Sequence, residues 1–265
     1  MRTVRTIAEI RDALAFPRQR GERIGLVPTM GAFHEGHIAL MRAARAASDV
    51  VVVSLFVNPS QFTSADDLGR YPRDEAQDAR AAEAEGTDLL FAPSVDELYP
   101  TGFDSFVDPG RLATVLEGAA RPGHFRAVAT VCTKLFGIVE PRAAWFGQKD
   151  AQQLAVIRRV VADLNLQLRI EAVPIVRDHD GLALSSRNVF LSPAERNAAL
   201  ALPRALHAGA AAHRSGNDPV SAARRILDAE ARLTVDYVDV ADLAGLTLVA
   251  AVRVGTTRLI DNARL

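Results

Sequence analysis

The chain has 265 residues, 49% of them apolar, with 31 basic against 32 acidic residues and a formal net charge of −1. That is enough apolar surface for a sizeable core, in one large domain or two smaller ones, without staples. The balanced charge leaves no basic excess for a nucleic-acid backbone, and the single cysteine, Cys132, excludes an intramolecular disulfide and a multi-cysteine zinc site.

The opening MRTVRTIAEI lacks the apolar core of a signal peptide. Thr6 to Glu9 fits a capping box, and Ile7, Ile10 and Leu14 recur at helical spacing. A short apolar stretch, Ile24–Val27, stops at Pro28, and the loop Thr29–Phe33 leads into a helix over Glu35–Ala47. Val50–Val57, rich in valine and bounded by Asn58-Pro59, reads as a buried parallel strand. Interrupted only by Ser54, this apolar stretch is far too short to span a bilayer. Asp74–Glu85 reads as a helix, Leu89–Ala92 as a strand, Ala127–Val139 as a buried helix and Ala144–Phe146 as a strand. Ala151–Asp163 reads as a helix and Leu168–Val173 as a strand. Strands alternating with helices predict an α/β domain over residues 1–174, a Rossmann-like doubly wound parallel sheet. Past Pro174 the pattern changes to helices at Pro193–Arg214 and Pro219–Arg232, then β segments at Val235–Val240, Leu248–Val254 and Thr257–Asp261. Residues 175–265 are therefore expected to form a smaller α+β C-terminal domain. A cytoplasmic protein, with no membrane and no nucleic acid among its partners, is the expectation.

The segment Pro28–His37 sits where the first core strand hands over to a helix. Helix N-termini offer unpaired N–H groups and a positive dipole end, which suit phosphate. Gly31 and Gly36 allow close backbone approach. His34 and His37 lie three residues apart and share a face if both are in the first turn. The spacing fits phosphate binding, a plain helix start with two solvated histidines, or a metal pair lacking a well-spaced third ligand. Only Lys134 and Lys149 remain as lysines among the 31 basic residues. Codon bias is one explanation; a need for a compact ammonium is the other. Cys132 falls in an apolar helix and reads as inert packing, and His179, His207 and His213 have no constellation around them.

His34-Glu35-Gly36-His37 after a strand resembles the HxGH signature of the nucleotidylyltransferase superfamily, which is related to class I aminoacyl-tRNA synthetases. PTMGAFHEGH as a whole resembles the pantothenate synthetase (pantoate–β-alanine ligase) family. FVNPSQF at Phe56–Phe62, YPR at Tyr71–Arg73, RPGHF at Arg121–Phe125, FGQKDAQQ at Phe146–Gln153 and LSSRN at Leu184–Asn188 follow in the family's order across most of the chain.

The resemblance implies an ATP-dependent ligase that condenses pantoate with β-alanine to give pantothenate, AMP and pyrophosphate through a pantoyl adenylate. It implies catalytic roles for His34, His37, Lys149, Ser185 and Arg187. ATP contacts are expected from these residues with Met30, Gly36, Gly147, Asp150, Val176, Leu184 and Ser186. Leu184 stands where many relatives have Met, a volume-conserving swap. Gln61 and Gln153, amides that both donate and accept, are expected to clamp pantoate, with Met30 and Phe62 as apolar wall and Asn58 near β-alanine. Mg²⁺ is expected with ATP, and Asp78 matches the family's aspartate best as its ligand, although its neighbour is the neutral Gln77. Residues 117–126, with Tyr71 in support, are expected to act as a lid that keeps water from the adenylate. A homodimer is implied by resemblance alone. Two rival functions remain: an adenylyltransferase making a dinucleotide, and a regulatory nucleotide-binding module without chemistry. The paired glutamines and the SSRN loop argue against the first. Retention of both histidines and Lys149 argues against the second.

Overall fold

In the computed structural model, residues 1–62 and 64–265 are described. The strands in chain order are β1 (Arg2–Val4), β2 (Ile24–Thr29), β3 (Val50–Leu55), β4 (Leu89–Phe91), β5 (Ala143–Gly147), β6 (Arg169–Val173), β7 (Leu233–Asp242), β8 (Leu246–Val254) and β9 (Thr257–Arg264). The helices are α1 (Ile7–Gln19), α2 (Glu35–Ala47), α3 (Ala65–Arg70), α4 (Glu75–Ala84), α5 (Val95–Leu98), α6 (Glu117–Ala120) and α7 (His124–Val139). They continue with α8 (Ala151–Asp163), α9 (Pro193–Ala199), α10 (Ala201–Arg214) and α11 (Pro219–Asp228). The chain divides into two units, Met1–Gly147 with Val156–Val173, and Gln148–Ala155 with Pro174–Leu265.

The first unit is a doubly wound α/β layer structure. Its sheet runs β1-β4-β3-β2-β5-β6, and every neighbouring pair is parallel. Val51, Val52 and Val53 of β3 are at most 1% exposed, because a parallel sheet covered on both faces leaves neither side for water. Leu40, Met41 and Ala44 of α2 pack into the same cluster as Val27, Val51, Val53 and Trp145. At roughly 1.5–3 kcal/mol for each large apolar side chain buried, this contact fixes α2 on the sheet. Helix α1 starts on the expected capping box: Thr6 accepts the Glu9 N–H at 3.1 Å, and Glu9 accepts the Thr6 N–H at 3.0 Å.

The second unit packs α9, α10 and α11 against the antiparallel sheet β7-β8-β9. Leu202, Leu206, Leu227, Leu248 and Val252 form its core, each at most 2% exposed. The helix expected over Pro193–Arg214 is broken into α9 and α10 at Leu200. Pro203 supplies the reason: its ring would clash with the carbonyl four residues back, and it has no N–H to carry the first helix onward. Helix α11 ends at Asp228, four residues short of the expected end, and β7 begins at Leu233. Strand β3 ends at Leu55 rather than Val57, and α7 begins at His124 rather than Ala127. No described helix is long and apolar enough to cross a membrane.

Candidate active site

Chain order reverses across the first sheet between two adjacent strands. Strands β3 and β4 follow β2 to one side, while β5 and β6 lie on the other. In open α/β sheets, ligands bind beyond the carboxyl ends of the strands at such a switch point. The carboxyl end of β2 runs into Met30–His34, and the carboxyl end of β5 is Gly147.

His34 is the N-cap of α2, with its Nδ1 accepting the Gly36 N–H at 3.1 Å. His37 closes the reciprocal bond, its Nδ1 accepting the His34 N–H at 3.3 Å. The two imidazoles thus form a capping box, a role usually filled by a hydroxyl and a carboxamide or carboxylate. Their rings lie 4.2 Å apart between centroids, tilted by 46°. A neutral imidazole has one proton, and with Nδ1 accepting in this network that proton belongs on Nε2. Each ring then holds an Nε2–H donor at a helix start. Gly36 is required by this packing, because a Cβ there would stand 2.8 Å from His34 Cε1 and 2.9 Å from its Nδ1.

The loop ahead of α2 is held by Asp78 of α4. Its Oδ2 accepts the Ala32 N–H at 2.9 Å and its Oδ1 accepts the Phe33 N–H at 2.8 Å. Gly31 and Ala32 both have positive φ, +85° and +53°, so the turn is one that chain preference alone does not favour. A Cβ on Gly31 would also meet Asp78 Oδ2 at 2.7 Å. Asp78 is 3% exposed. Burial raises its carboxyl above the ordinary range, and the Phe33 and Ala32 N–H groups pull against that rise.

A third group lies at the end of β3. Asn58 is 1% exposed and caps the 3₁₀ turn Pro59–Gln61 by accepting the Ser60 N–H. Its Nδ2 donates to Gln61 Oε1 at 3.3 Å and to the Ala127 carbonyl at 3.4 Å. Gln61 Nε2 in turn donates to Met30 Sδ at 2.8 Å. Met30, Gln61 and Asn58, expected as substrate contacts, thus form one hydrogen-bonded chain. Phe62 meets Tyr71 edge-on at 5.5 Å between centroids. The carbonyl of Gln61 bonds to His124 Nδ1 at 2.8 Å and accepts from Arg121 Nη2 at 3.1 Å. Arg121 and His124 belong to the segment read as a lid. That segment comprises α6, the turn through Gly123 and the first turn of α7. Local patterning assigns these two residues no individual role, because their partner lies 60 or more residues away.

In the second unit, Lys149 and Asp150 occupy the 3₁₀ turn Gln148–Asp150, directly after β5 in the chain. Lys149 Nζ is 3.7 Å from Asp150 Oδ1, and its side chain is 20% exposed. Gln153 follows in the first turn of α8, half-buried. Ser185 caps a second 3₁₀ turn, Ser186–Phe190, its Oγ accepting the Arg187 N–H at 3.3 Å. Ahead of it, the Leu184 N–H donates to the Val176 carbonyl at 3.0 Å, and Asn188 Nδ2 donates to the Ala183 carbonyl at 3.1 Å. Ser186 and Arg187 are half-buried in the same turn.

No group of three or more His, Cys, Asp or Glu suited to hold a metal ion occurs among the described residues. Among the described residues the His34–His37 pair is not part of such a group.

Fold and site together define a doubly wound α/β protein in which Met30, His34, His37, Asn58 and Gln61 follow the carboxyl ends of β2 and β3. The pantoate–β-alanine ligase family model matches residues 2–264. Pantothenate synthetase of Roseiflexus sp. (strain RS-1) is 54% identical over 279 residues, covering 100% of this chain and 99% of the relative. That of Heliobacterium modesticaldum is 53% identical, covering 98% of each. Among solved structures, pantothenate synthetase from Thermus thermophilus superposes with a TM-score of 0.94 at 45% identity, covering 100% of this chain and 99% of that one. A pantoate–β-alanine ligase from Francisella tularensis, complexed with beta-gamma ATP and beta-alanine, gives 0.85 at 32% identity, covering 100% and 97%. The chain belongs to the pantoate–β-alanine ligase family.

Proposed function

We propose that this chain is the ATP-dependent ligase that joins pantoate to β-alanine, releasing pantothenate, AMP and pyrophosphate, and that it works through a pantoyl adenylate. The observation that carries the chemistry is the two-histidine capping box at the start of α2, in which each Nδ1 accepts a main-chain N–H, so that the proton of each neutral ring falls on Nε2 as a donor. In the first half-reaction a pantoate carboxylate oxygen attacks the α-phosphorus of ATP, and the bond from that phosphorus to the bridging oxygen breaks. Charge grows on the departing pyrophosphate. His34 and His37 donate to phosphate oxygens as it does, and the Lys149 ammonium adds a compact positive charge. Such preorganised donors act mainly in the transition state, where charge is developing. Ser185, Ser186 and Arg187 supply further hydroxyl and guanidinium contacts to phosphate. Gly36 and Gly147 leave room for the nucleotide, Asp150 serves the ribose, and Met30, Val176 and Leu184 complete the ATP contacts.

Gln61 and Gln153 hold pantoate by their amides, and Met30 and Phe62 face its gem-dimethyl group. Asn58 serves β-alanine. In the second half-reaction the β-alanine amine attacks the acyl carbon, forming the amide bond as AMP leaves with its electron pair. Residues 117–126, with Tyr71, exclude water while the adenylate waits.

Mg²⁺ accompanies ATP in this reading. The donor set suits an ion that arrives on the phosphates and keeps its waters, because both Asp78 oxygens already accept backbone N–H groups and such an ion takes only one or two protein carboxylates. Asp78 is the protein carboxylate assigned to it, and the ion supplies charge neutralisation on the phosphates. The enzyme acts in the cytoplasm as a homodimer, with residues 1–174 and 175–265 as its two domains apart from Gln148–Ala155, which falls in the second unit.

The test is product stoichiometry. Purified protein with ATP, Mg²⁺, pantoate and β-alanine should give pantothenate, AMP and pyrophosphate in equal amounts. ADP and phosphate in place of AMP and pyrophosphate would overturn the adenylate route. A dinucleotide product would favour an adenylyltransferase.

A further inference from the structure

Two adjacent residues of the last strand are buried although polar: Asp261 is 3% exposed and Asn262 is 9%. Polar side chains are buried at a cost unless their hydrogen bonds are made, and both spend theirs on one region of the second unit. Asn262 Nδ2 donates to two successive main-chain carbonyls, Gln148 O and Lys149 O, each at 2.9 Å. Asp261 takes Arg177 in a bidentate pair, with Nη1 to Oδ2 at 2.7 Å and Nη2 to Oδ1 at 3.0 Å. Its Oδ1 also accepts the Asn262 backbone N–H at 2.8 Å. Arg177 in turn donates to the Gly181 carbonyl at 3.1 Å and stands opposite Ala183 in an isolated antiparallel bridge. It therefore sits at the root of the turn that delivers Leu184 and Ser185.

We propose that Asp261 and Asn262 are positioning residues for the phosphate chemistry: Asn262 fixes the main chain that bears Lys149, and Asp261 fixes the turn that feeds Ser185–Arg187. The inference rests on the reading that Lys149 and Ser185–Arg187 act on ATP phosphates. A three-residue 3₁₀ turn has little internal hydrogen bonding to hold it, and a lysine side chain is long and flexible. Without an outside brace, small rotations of the turn swing the ammonium through large distances, and a misplacement of about 1 Å costs on the order of 100-fold in rate. One amide nitrogen gripping the carbonyls on either side of the Lys149 N–H removes that freedom. Because Asp261 is next in the same strand, β9 ties both phosphate-directed segments of the unit to one element.

The experiment is exchange of labelled pyrophosphate into ATP with pantoate and Mg²⁺, on the full chain, for Asn262→Ala, Asn262→Asp, Lys149→Ala and the double variant Asn262→Ala/Lys149→Ala. Asn262→Asp keeps the shape but replaces both donors with an oxygen facing two carbonyls. Each Asn262 variant should lose on the order of 10- to 100-fold in exchange, with the KM for pantoate within about twofold of wild type. The double variant should lose no more than about threefold beyond Lys149→Ala, because a brace has nothing left to position once the ammonium is gone. A merely structural residue would instead multiply its loss on top of Lys149→Ala. Asn262→Ser, measured beside the others with its thermal midpoint, covers the case in which the alanine variant does not fold. It should also lose at least about tenfold. Wild-type exchange in a folded Asn262 variant, or fully multiplicative losses, would overturn the proposal while leaving the role of Lys149 intact. If Lys149→Ala itself exchanges within a few-fold of wild type, the underlying reading fails instead.

Discussion

The carboxylate of Asp78 accepts the backbone N–H of Phe33 at 2.8 Å, one residue ahead of the helix cap formed by His34. Together with the bond to the Ala32 N–H it holds a turn with two successive positive φ angles. We predict that Asp78→Ala destabilises the fold by about 1–3 kcal/mol per N–H left without a partner. We also predict that Asp78→Asn is damaging, since its amide can offer only one oxygen to two donors. Urea unfolding checks this; a stability loss below about 0.5 kcal/mol for the alanine variant would contradict the brace.

The double role of His34, as helix cap and as Nε2–H donor, can be separated. Asparagine is among the strongest N-cap residues, whereas alanine is among the weakest. His34→Asn should therefore keep stability near wild type, and His34→Ala should lose about 1 kcal/mol. Both should lose the first half-reaction, because neither places a donor where the imidazole Nε2–H is. Thermal unfolding beside pyrophosphate exchange reads the two roles, and full activity in His34→Asn would reduce the histidine to a cap.

Gln61 and Gln153 are assigned to pantoate, not to ATP. Alanine at either position should weaken pantoate binding by roughly 1–3 kcal/mol per unsatisfied group, with far less effect on ATP. Gln61→Ala also removes the partner of Met30 Sδ and of Asn58 Nδ2, so it should be the more damaging of the two. Calorimetry with each ligand decides it; equal losses for ATP and pantoate would remove the assignment.

Cys132 lies in α7 at 4% exposure, and burial pushes its thiol up to about 12. Since the thiolate is the reactive form, the native protein should resist thiol reagents at about pH 8 and react fully when denatured. Rapid labelling of the folded chain would show that α7 opens readily.

The core strands and α2 are legible in the sequence because their patterns are local. Val50–Val53 is a run of valines, and Glu35–Ala47 has helical periodicity behind a glycine-bearing turn. Strand β1 escapes such a reading because three residues beginning Arg2-Thr3 show no period; it is a strand only by pairing with β4. The break at Leu200 is readable from Pro203, but the surrounding alanine-rich pattern conceals it. Asp78 reads only as a metal candidate, since its two backbone partners lie 45 and 46 residues away. Asp261 and Asn262 carry no signal at all: in a strand pattern they look like polar edge residues, and their partners lie 84 to 114 residues earlier.

The account turns on adenylation of pantoate before β-alanine takes part, driven by donors at the start of α2. The direct measurement is exchange of labelled pyrophosphate into ATP with pantoate and Mg²⁺ present and β-alanine absent. Exchange should proceed, and His34→Ala or His37→Ala should slow it by about 100- to 1000-fold, the usual cost of about 2.7–4 kcal/mol for one lost transition-state donor. Pantoate binding should change much less. Exchange that strictly requires β-alanine, or histidine variants that exchange within a few-fold of wild type, would contradict it.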